Sequence, residues 1–374
     1  MNTSFGKLLE KSIFKKCFFI FILASAVLGG VINARAVQTV SESNFLSYFV
    51  GILYTAMGVS ALVGNKIMER WRYKRLERII GIYSCFFIYD FMILFLWWVV
   101  SNIFSFSAKT QAVGSFIMDI LAAFIVMSGY FHAKQIKYTS YSVQIGLKGK
   151  ACRIAMLSDI HLGVFVGEKH IRQMVKKINQ LQVDFVVICG DIIDVNNHIL
   201  DNEEELNKIS SVLRGIQAKD GVFAVLGNHD PKITNKKFVH FLELSNIQLL
   251  HNQVIRLPNL NLIGRTDASN NDRKPMEELE KEISRSVPSI VLDHNPAGIS
   301  EASEYGADLV LSGHTHKGQF IPVTYFTKIA NGRHYFYGYE RFEKTQAIIS
   351  SGVGFFQLPV RIGTSNEIVD IHLT

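Results

Sequence analysis

Cysteine is scarce in this chain, and none of the four stands in a C-x-x-C pair. Cys17 and Cys85 fall in apolar runs, Cys152 and Cys189 in short β-rich stretches. That excludes a zinc knuckle or a disulfide framework and fits a reducing compartment. Internal repeats, low-complexity tracts, long linkers and a twin-arginine signal are also missing. The later part of the chain lacks an excess of positive charge. Fourteen of the 39 Lys and Arg, but only six of the 32 Asp and Glu, precede residue 141. The basic pI of about 9.1 therefore belongs to the first part, and no nucleic-acid partner is expected of the remainder.

Apolar residues make up 48% of the chain and are concentrated near its start. Runs over roughly 17–34, 46–64, 79–100 and 111–131 are each about 20 residues long, the length at which a helix crosses a hydrocarbon core. The expected organisation is a bundle of about four transmembrane helices over 1–135, then a second domain over 136–374. Lys7, Lys11, Lys15 and Lys16 precede the first run. Lys66, Arg70, Arg72, Lys74, Arg75 and Arg78 separate the second from the third, and Lys134 and Lys137 follow the fourth. The other two connections carry only Arg35 and Lys109. By the positive-inside rule, the N-terminus and the second domain are expected on the cytoplasmic side of a multi-pass cell-membrane protein, with the lipid bilayer as a partner. ARAV, at Ala34–Val37, contains an A-x-A pattern, but the run before it is longer than a usual signal h-region, so an uncleaved anchor is preferred. Asp90 and Asp119 lie inside the third and fourth runs without a mid-span basic residue to pair with. They either hydrogen-bond a neighbouring helix, the preferred reading, or serve transport.

From Ile136 the texture becomes α/β. KYTSYSVQI reads as a strand. EKHIRQMVKKINQL has helical spacing that puts Ile171, Met174, Val175, Ile178 and Leu181 on one face. Helices are expected through EEELNKISSVLRGI, NKKFVHFLELS and PMEELEKEISR, and from Ile321 onward the pattern is β-like. Five segments share one form, an apolar strand followed at once by a polar cluster. RIAML leads to Ser158-Asp159-Ile160-His161, DFVVIC to Gly190-Asp191-Ile192-Ile193-Asp194, and VFAVL to Gly227-Asn228-His229-Asp230. SIVL leads to Asp293-His294-Asn295-Pro296, and ADLVL to Ser312-Gly313-His314-Thr315-His316. Ligands in α/β sheets bind beyond the carboxyl ends of strands, so five such ends imply one shared site. Residues two apart on an extended chain point to one side, so Asp159 with His161, and His314 with His316, are each expected to aim at one centre.

Imidazole, carboxylate and one amide, with no thiolate, suit divalent Mn, Fe, Zn or Mg. The candidates exceed one tetrahedral site and match two ions sharing a carboxylate. Such a pair, about 3.5–4 Å apart, clamps a phosphoryl group for in-line displacement and acidifies a bound water towards a pKa of about 7.

At these residues the sequence resembles the calcineurin-like metallophosphoesterases, whose pattern is D-x-H, G-D-x-x-D, G-N-H-D/E, a later His, then G-H-x-H. All five are present in order over roughly Arg153 to Gln319. The resemblance implies a four-layer αββα sandwich. It implies that Asp159, His161, Asp191 and His316 hold one ion, and that Asp191 bridges to a second held by Asn228, His294 and His314. His229 would contact the phosphoryl oxygens or protonate the leaving group, Asp230 would orient it, and Asp194 would brace the site. The tail SSGVGFFQLPVRIGTSNEIVDIHL resembles a branch that includes UDP-2,3-diacylglucosamine pyrophosphatases and multi-span membrane phosphoesterases. That branch commonly has glycine after G-H-T-H, where this chain has Lys317. Lys317 either contacts a substrate phosphate or points to solvent, and Arg265 is a second candidate substrate contact. The expected activity is membrane-anchored hydrolysis of a phosphodiester, phosphomonoester or pyrophosphate, on a phosphorylated small molecule or a lipid-linked substrate. The rivals are a nucleotide phosphodiesterase merely located at the membrane and a non-catalytic metal-binding sensor.

Overall fold

The structure, a computed structural model, describes residues 3–71, 74–147, 149, 151–194 and 198–374. Side chains are described from residue 20 onward, except 61–74, 148, 150 and 195–197. The chain divides into two compact units, Met1–Tyr130 and Phe131–Thr374.

The first unit is four helices: α1 (Thr3–Ser41), α2 (Asn44–Trp71), α3 (Lys74–Ile103) and α4 (Ala108–Ala133). Among the described residues three helical stretches are long and apolar enough to cross a membrane, Ile20–Ser41, Arg75–Ile103 and Ala108–Ala133. The apolar part of α2, Asn44–Ser60, is shorter. Leu96, Ile120 and Phe124 stand exposed on α3 and α4, as lipid-facing side chains would. Asp90 faces the interior and is fully buried, where the Tyr54 hydroxyl donates to its Oδ2 at 2.6 Å. Lys7, Lys11, Lys15, Lys16, Lys66, Arg70, Arg72 and Lys74, on which the expected orientation largely rests, lie outside the described side chains, as does Cys17.

The second unit runs β1 (Ile136–Val143), β2 (Cys152–Leu157), α5 (Glu168–Leu181), β3 (Phe185–Cys189), α6 (Glu203–Leu213), β4 (Gly221–Val225), α7 (Lys236–Leu244), β5 (Gln248–Leu249), β6 (Gln253–Leu257), β7 (Leu260–Gly264), α8 (Met276–Glu280), β8 (Ser289–Leu292), α9 (Ile299–Glu304), β9 (Leu309–Ser312), α10 (Val323–Asn331), β10 (Gly338–Phe342), β11 (Thr345–Ile349) and β12 (Asn366–Leu373). Two six-stranded sheets form, ordered β1-β12-β2-β3-β4-β5 and β10-β11-β9-β8-β7-β6. Strands β2, β3 and β4 are mutually parallel, and so are β7, β8 and β9.

Strand periodicity explains the layers. In β3, Phe185, Val187 and Cys189 pack between the sheets, while Val186 and Ile188 pack outward. A strand buried on both faces has no polar alternation, hence the continuous FVVIC. The outer face of the first sheet is covered by α5, α6 and α7, through Ile171, Met174, Ile178, Ile209 and Phe238. The outer face of the second is covered by α8 and α9, through Met276, Leu279, Ile299 and Ala302. This is the expected αββα sandwich, and the five α5 residues named from spacing are the five it buries. Two expectations change. The charged helix through PMEELEKEISR is only the five-residue α8. Residues after Ile321 begin with a helix, not a strand: Pro322 caps α10, Gly332 ends it, and no strand is paired with it. Proline at a helix start and the want of a ladder neighbour outweigh the β-preference of Val, Thr, Tyr and Phe.

Candidate metal centre

The carboxyl ends of β2, β3 and β4 meet those of β8 and β9, and the polar clusters follow there. The backbone is not extended at these ends, as the spacing argument assumed. Asp159, His161, Asp191 and His316 take φ between 51° and 53°, and His314 takes 71°. Non-glycine residues in this left-handed region cost about 1–3 kcal/mol each and persist where the surroundings over-determine them. Here Asp159 N–H donates to Gly190 O at 3.0 Å, His161 N–H to Asp191 O at 3.0 Å, and Gly354 N–H to Asp159 O at 3.1 Å. Gly190 itself has φ +79°, and a Cβ there would sit 2.6 Å from His294 Nδ1 and 2.7 Å from Gly227 N. The strand ends approach that closely only without a side chain at 190.

The seven residues come together as two adjoining groups. In the first, His161 Nε2 lies 3.0 Å from His316 Nε2, His316 Nε2 lies 3.3 Å from Asp159 Oδ1, and His161 Nε2 lies 3.7 Å from Asp191 Oδ2. In the second, His294 Nε2 lies 3.3 Å from the same Asp191 Oδ2 and 3.1 Å from Asn228 Oδ1. His314 Nδ1 lies 2.8 Å from Asn228 Oδ1 and 3.3 Å from His294 Nε2. Asp191 Oδ2 thus stands between the two. Asp159, His161 and His316 offer one atom each within 4.8 Å of one another, as do Asp159, Asp191 and His294.

The donor chemistry fits divalent cations. His294 Nδ1 lies 2.8 Å from Cys189 O, an acceptor, so that nitrogen carries the proton. The Nε2 lone pair of neutral His294 then faces two further acceptors, Asn228 Oδ1 and Asp191 Oδ2, an arrangement a cation resolves. Without one, a proton takes that place: burial opposes charge on His294, but Asp191 and Asp159 outweigh it and raise its pKa well above the ordinary value. Burial alone would raise Asp191, but His294, His161 and His229 hold it well below the carboxylate range. Burial pushes Asp159 up to about 6 and lowers His161 to about 3. Burial, helped by His294, lowers His314 to about 4. Burial and the neighbouring His161 also hold His316 well below the usual range. Neutral imidazole is the ligating form. Asp194 Oδ1 lies 3.7 Å from His161 Nδ1, the outward nitrogen, beyond hydrogen-bond distance.

His229 stands beside these groups. Its ring stacks on Phe356, centroids 4.8 Å apart, and lies 5.6 Å from that of His161. Burial lowers its pKa, and its backbone N–H donates to Asp191 Oδ1 at 2.9 Å. Asp230 is placed otherwise than expected. Its oxygens accept the N–H groups of Ile193 at 2.9 Å and Gly227 at 2.8 Å, so it ties the β3 and β4 loops together instead of orienting His229. Lys317 is half-buried, its Nζ 3.9 Å over the Tyr337 ring, and burial lowers its pKa. Arg265 is 1% exposed and bonds Glu301 at 2.7 Å, Lys274 O at 3.1 Å and Asp293 at 3.4 Å. A guanidinium so enclosed has a structural part, since breaking a buried pair costs about 3–5 kcal/mol. Three residues escaped the sequence reading. Arg361, buried, donates to His316 O at 2.9 Å, Ser351 O at 2.8 Å and Gly354 O at 2.6 Å. Phe356 walls the His229 side. Asp267 follows β7, the sixth strand end, buried with one oxygen unpartnered. The quoted tail held the first two, and NLNLIGRTD has the strand-then-polar form of the other five ends.

Residues 152–318 match the family model described as calcineurin-like phosphoesterase. An uncharacterized metallophosphoesterase of Helicobacter pylori is 32% identical over 233 residues, 60% of each chain, so this chain spans only part of that relative's length. One of Aquifex aeolicus is 30% identical over 277 residues, 69% of this chain and 98% of the relative. The UDP-2,3-diacylglucosamine pyrophosphatase LpxG of Chlamydia muridarum is 26% identical over 216 residues, 45% of this chain and 64% of the relative. On this likeness, which covers 98% of the Aquifex aeolicus relative, the chain belongs to the calcineurin-like metallophosphoesterase family.

Proposed function

We propose that this protein is a membrane-anchored hydrolase of phosphodiesters, phosphomonoesters or pyrophosphates. The observation that carries the reading is Asp191 Oδ2 standing between two sets of nitrogen and oxygen donors, 3.7 Å from His161 Nε2 and 3.3 Å from His294 Nε2. Asp159, His161, Asp191 and His316 would hold one divalent cation, and Asp191, Asn228, His294 and His314 a second. Ions of the Mn, Fe, Zn or Mg class held there supply positive charge for the phosphoryl oxygens and acidify an attacking water. The chain's own residues do the rest. The Asp191 backbone and Gly190 fix the spacing of the two sets. Cys189 O keeps the His294 proton on Nδ1. His229, stacked on Phe356, would donate its ring N–H to a phosphoryl oxygen and, as the imidazolium, hand a proton to the leaving oxygen and return to the neutral ring. Phe356 keeps bulk water from that side, and Asp194 and Asp230 brace the loops.

The apolar helices and the likeness to a pyrophosphatase of a lipid-linked sugar nucleotide support a lipid-linked substrate. Oriented with its catalytic unit in the cytoplasm, the protein would act on the inner leaflet. The test is hydrolysis of bis(p-nitrophenyl) phosphate by the full chain, stripped with chelator and reloaded with Mn(II). Turnover returns on reloading, and Asp191→Asn abolishes it and lowers the bound metal. A variant keeping more than about a tenth of the wild-type rate sinks the bridging role, which calls for the loss of about 10²-fold or more expected of a transition-state electrostatic group.

A further inference from the structure

Helix α10 buries none of its nine residues. Tyr325, Phe326 and Ile329 are 60%, 66% and 79% exposed, and Ile321 and Val323 extend the same surface. These five make up most of the large apolar side chains that the second unit exposes. A contiguous apolar patch of this kind marks an interaction surface. Its only ionic residue is Lys328, and Arg333 stands exposed just beyond the capping Gly332. The patch is therefore cationic as well as apolar.

The patch is fastened to the site. Phe320 O accepts the Thr324 N–H at 3.0 Å, and a Cβ on Gly318 would run into Thr324, so α10 packs on the turn that carries His316. Gln319 in that turn bonds the Phe356 backbone in both directions, at 2.7 and 3.0 Å. Whatever seats α10 thus positions the residues beside His229 and His316.

We propose that α10 is an interfacial helix that docks the catalytic unit onto an anionic lipid surface and so presents headgroup phosphoesters to the site. An apolar face with Tyr and Phe, flanked by basic side chains, lies in the boundary between headgroups and acyl chains, and Lys328 and Arg333 complement anionic headgroups. The unit's first residues, Phe131–Ala133, still belong to α4, one of the three membrane-length helices, so a membrane-anchored chain tethers this unit to a bilayer. The inference rests on the membrane-anchored hydrolase reading and deepens it by naming how a lipid-borne substrate is met.

The test uses the full chain in bilayer nanodiscs of phosphatidylcholine with or without phosphatidylglycerol. A spin label at Ile329→Cys is compared with one at Asn207→Cys, an exposed position on α6, with labelling of the unsubstituted chain subtracted. The expected result is an Ile329 label open to oxygen and shielded from an aqueous nickel chelate, more so with phosphatidylglycerol, and an Asn207 label open to nickel. Equal nickel access at both overturns the proposal. So does shielding of the Ile329 label from nickel and oxygen alike, which would mean contact with the chain's own helices, a second copy or another protein. In parallel, Phe326→Ser with Ile329→Ser should raise KM for a vesicle-borne diacylglyceryl p-nitrophenyl phosphate at least about tenfold, leaving bis(p-nitrophenyl) phosphate turnover unchanged. Equal effects on both substrates, or on neither, count against docking. If the wild type hydrolyses neither, the hydrolase reading falls, and the label accessibilities still decide whether α10 meets lipid.

Discussion

His229 shows how one residue type is sorted into two uses. Five imidazoles crowd this centre, and four bring a ring nitrogen within 3.8 Å of Asp159, Asp191 or Asn228 oxygens. The fifth, His229, lies against Phe356. His229→Ala is therefore expected to keep its metal content while turnover slows by about 10²–10⁴-fold, the range for a lost acid–base group. Metal analysis beside single-turnover rates checks this, and metal loss would make His229 a ligand. The residue types here were legible because five clusters each followed an apolar strand. Their backbone was not, because left-handed φ at Asp159, His161, Asp191 and His316 is imposed by bonds to distant loops such as Gly354. Asp230 shows the same limit, since adjacency to His229 does not say where its carboxylate finds a donor.

Strands and helices were legible where one face meets a core, as in α5 and β3. They were misread where tertiary pairing decides, as in α10, whose residues favour strands but find no ladder. The antiparallel pair β2–β12 carries an ion pair that spacing cannot suggest. Arg153 Nε and Nη2 bond Asp370 Oδ1 and Oδ2 at 2.8 and 2.9 Å, from residues 217 apart. Burial alone would raise the Asp370 carboxyl, but Arg153 and His372 hold it below the usual range. A depressed pKa stabilises the fold above the unfolded value of about 3.9 and ceases to do so as pH falls through the folded value. Asp370→Asn should thus lower Tm at pH 6, by about 2–4 °C for each kcal/mol lost, and the gap to wild type should close below about pH 4. Arg153 is about a third exposed, so salt should narrow the gap as well. Thermal melts of the full chain at both pH values measure it, and a gap that widens in acid contradicts the assignment.

On the scale of the whole molecule, the two units divide at Tyr130, within α4 and a few residues before the boundary expected from composition. Three membrane-length helices and a shorter fourth agree with an N-terminal membrane bundle. The expected orientation rests on the loop charges. A reporter fused after Thr374 should therefore give a cytoplasmic signal, and a periplasmic or extracellular signal would reverse the topology and move the accessible substrate to the other leaflet. Asp90 illustrates how the bundle satisfies an interior polar group, since Tyr54 on a neighbouring helix donates to it.

Local sequence carries the set of chemical groups and their order: apolar runs of membrane length, then five strand ends tipped with Asp, His and Asn. Those follow from local pattern, because hydropathy and periodicity act over a few residues. Only the tertiary structure decided which oxygen stands between the two donor sets, that Arg265 is locked among carboxylates, that Arg361 and Phe356 reach back from the tail, and that α10 is left bare. Each of these is set by which loops meet in space, and contacts such as Arg265 with Glu301, or Arg361 with His316, leave no local period to read.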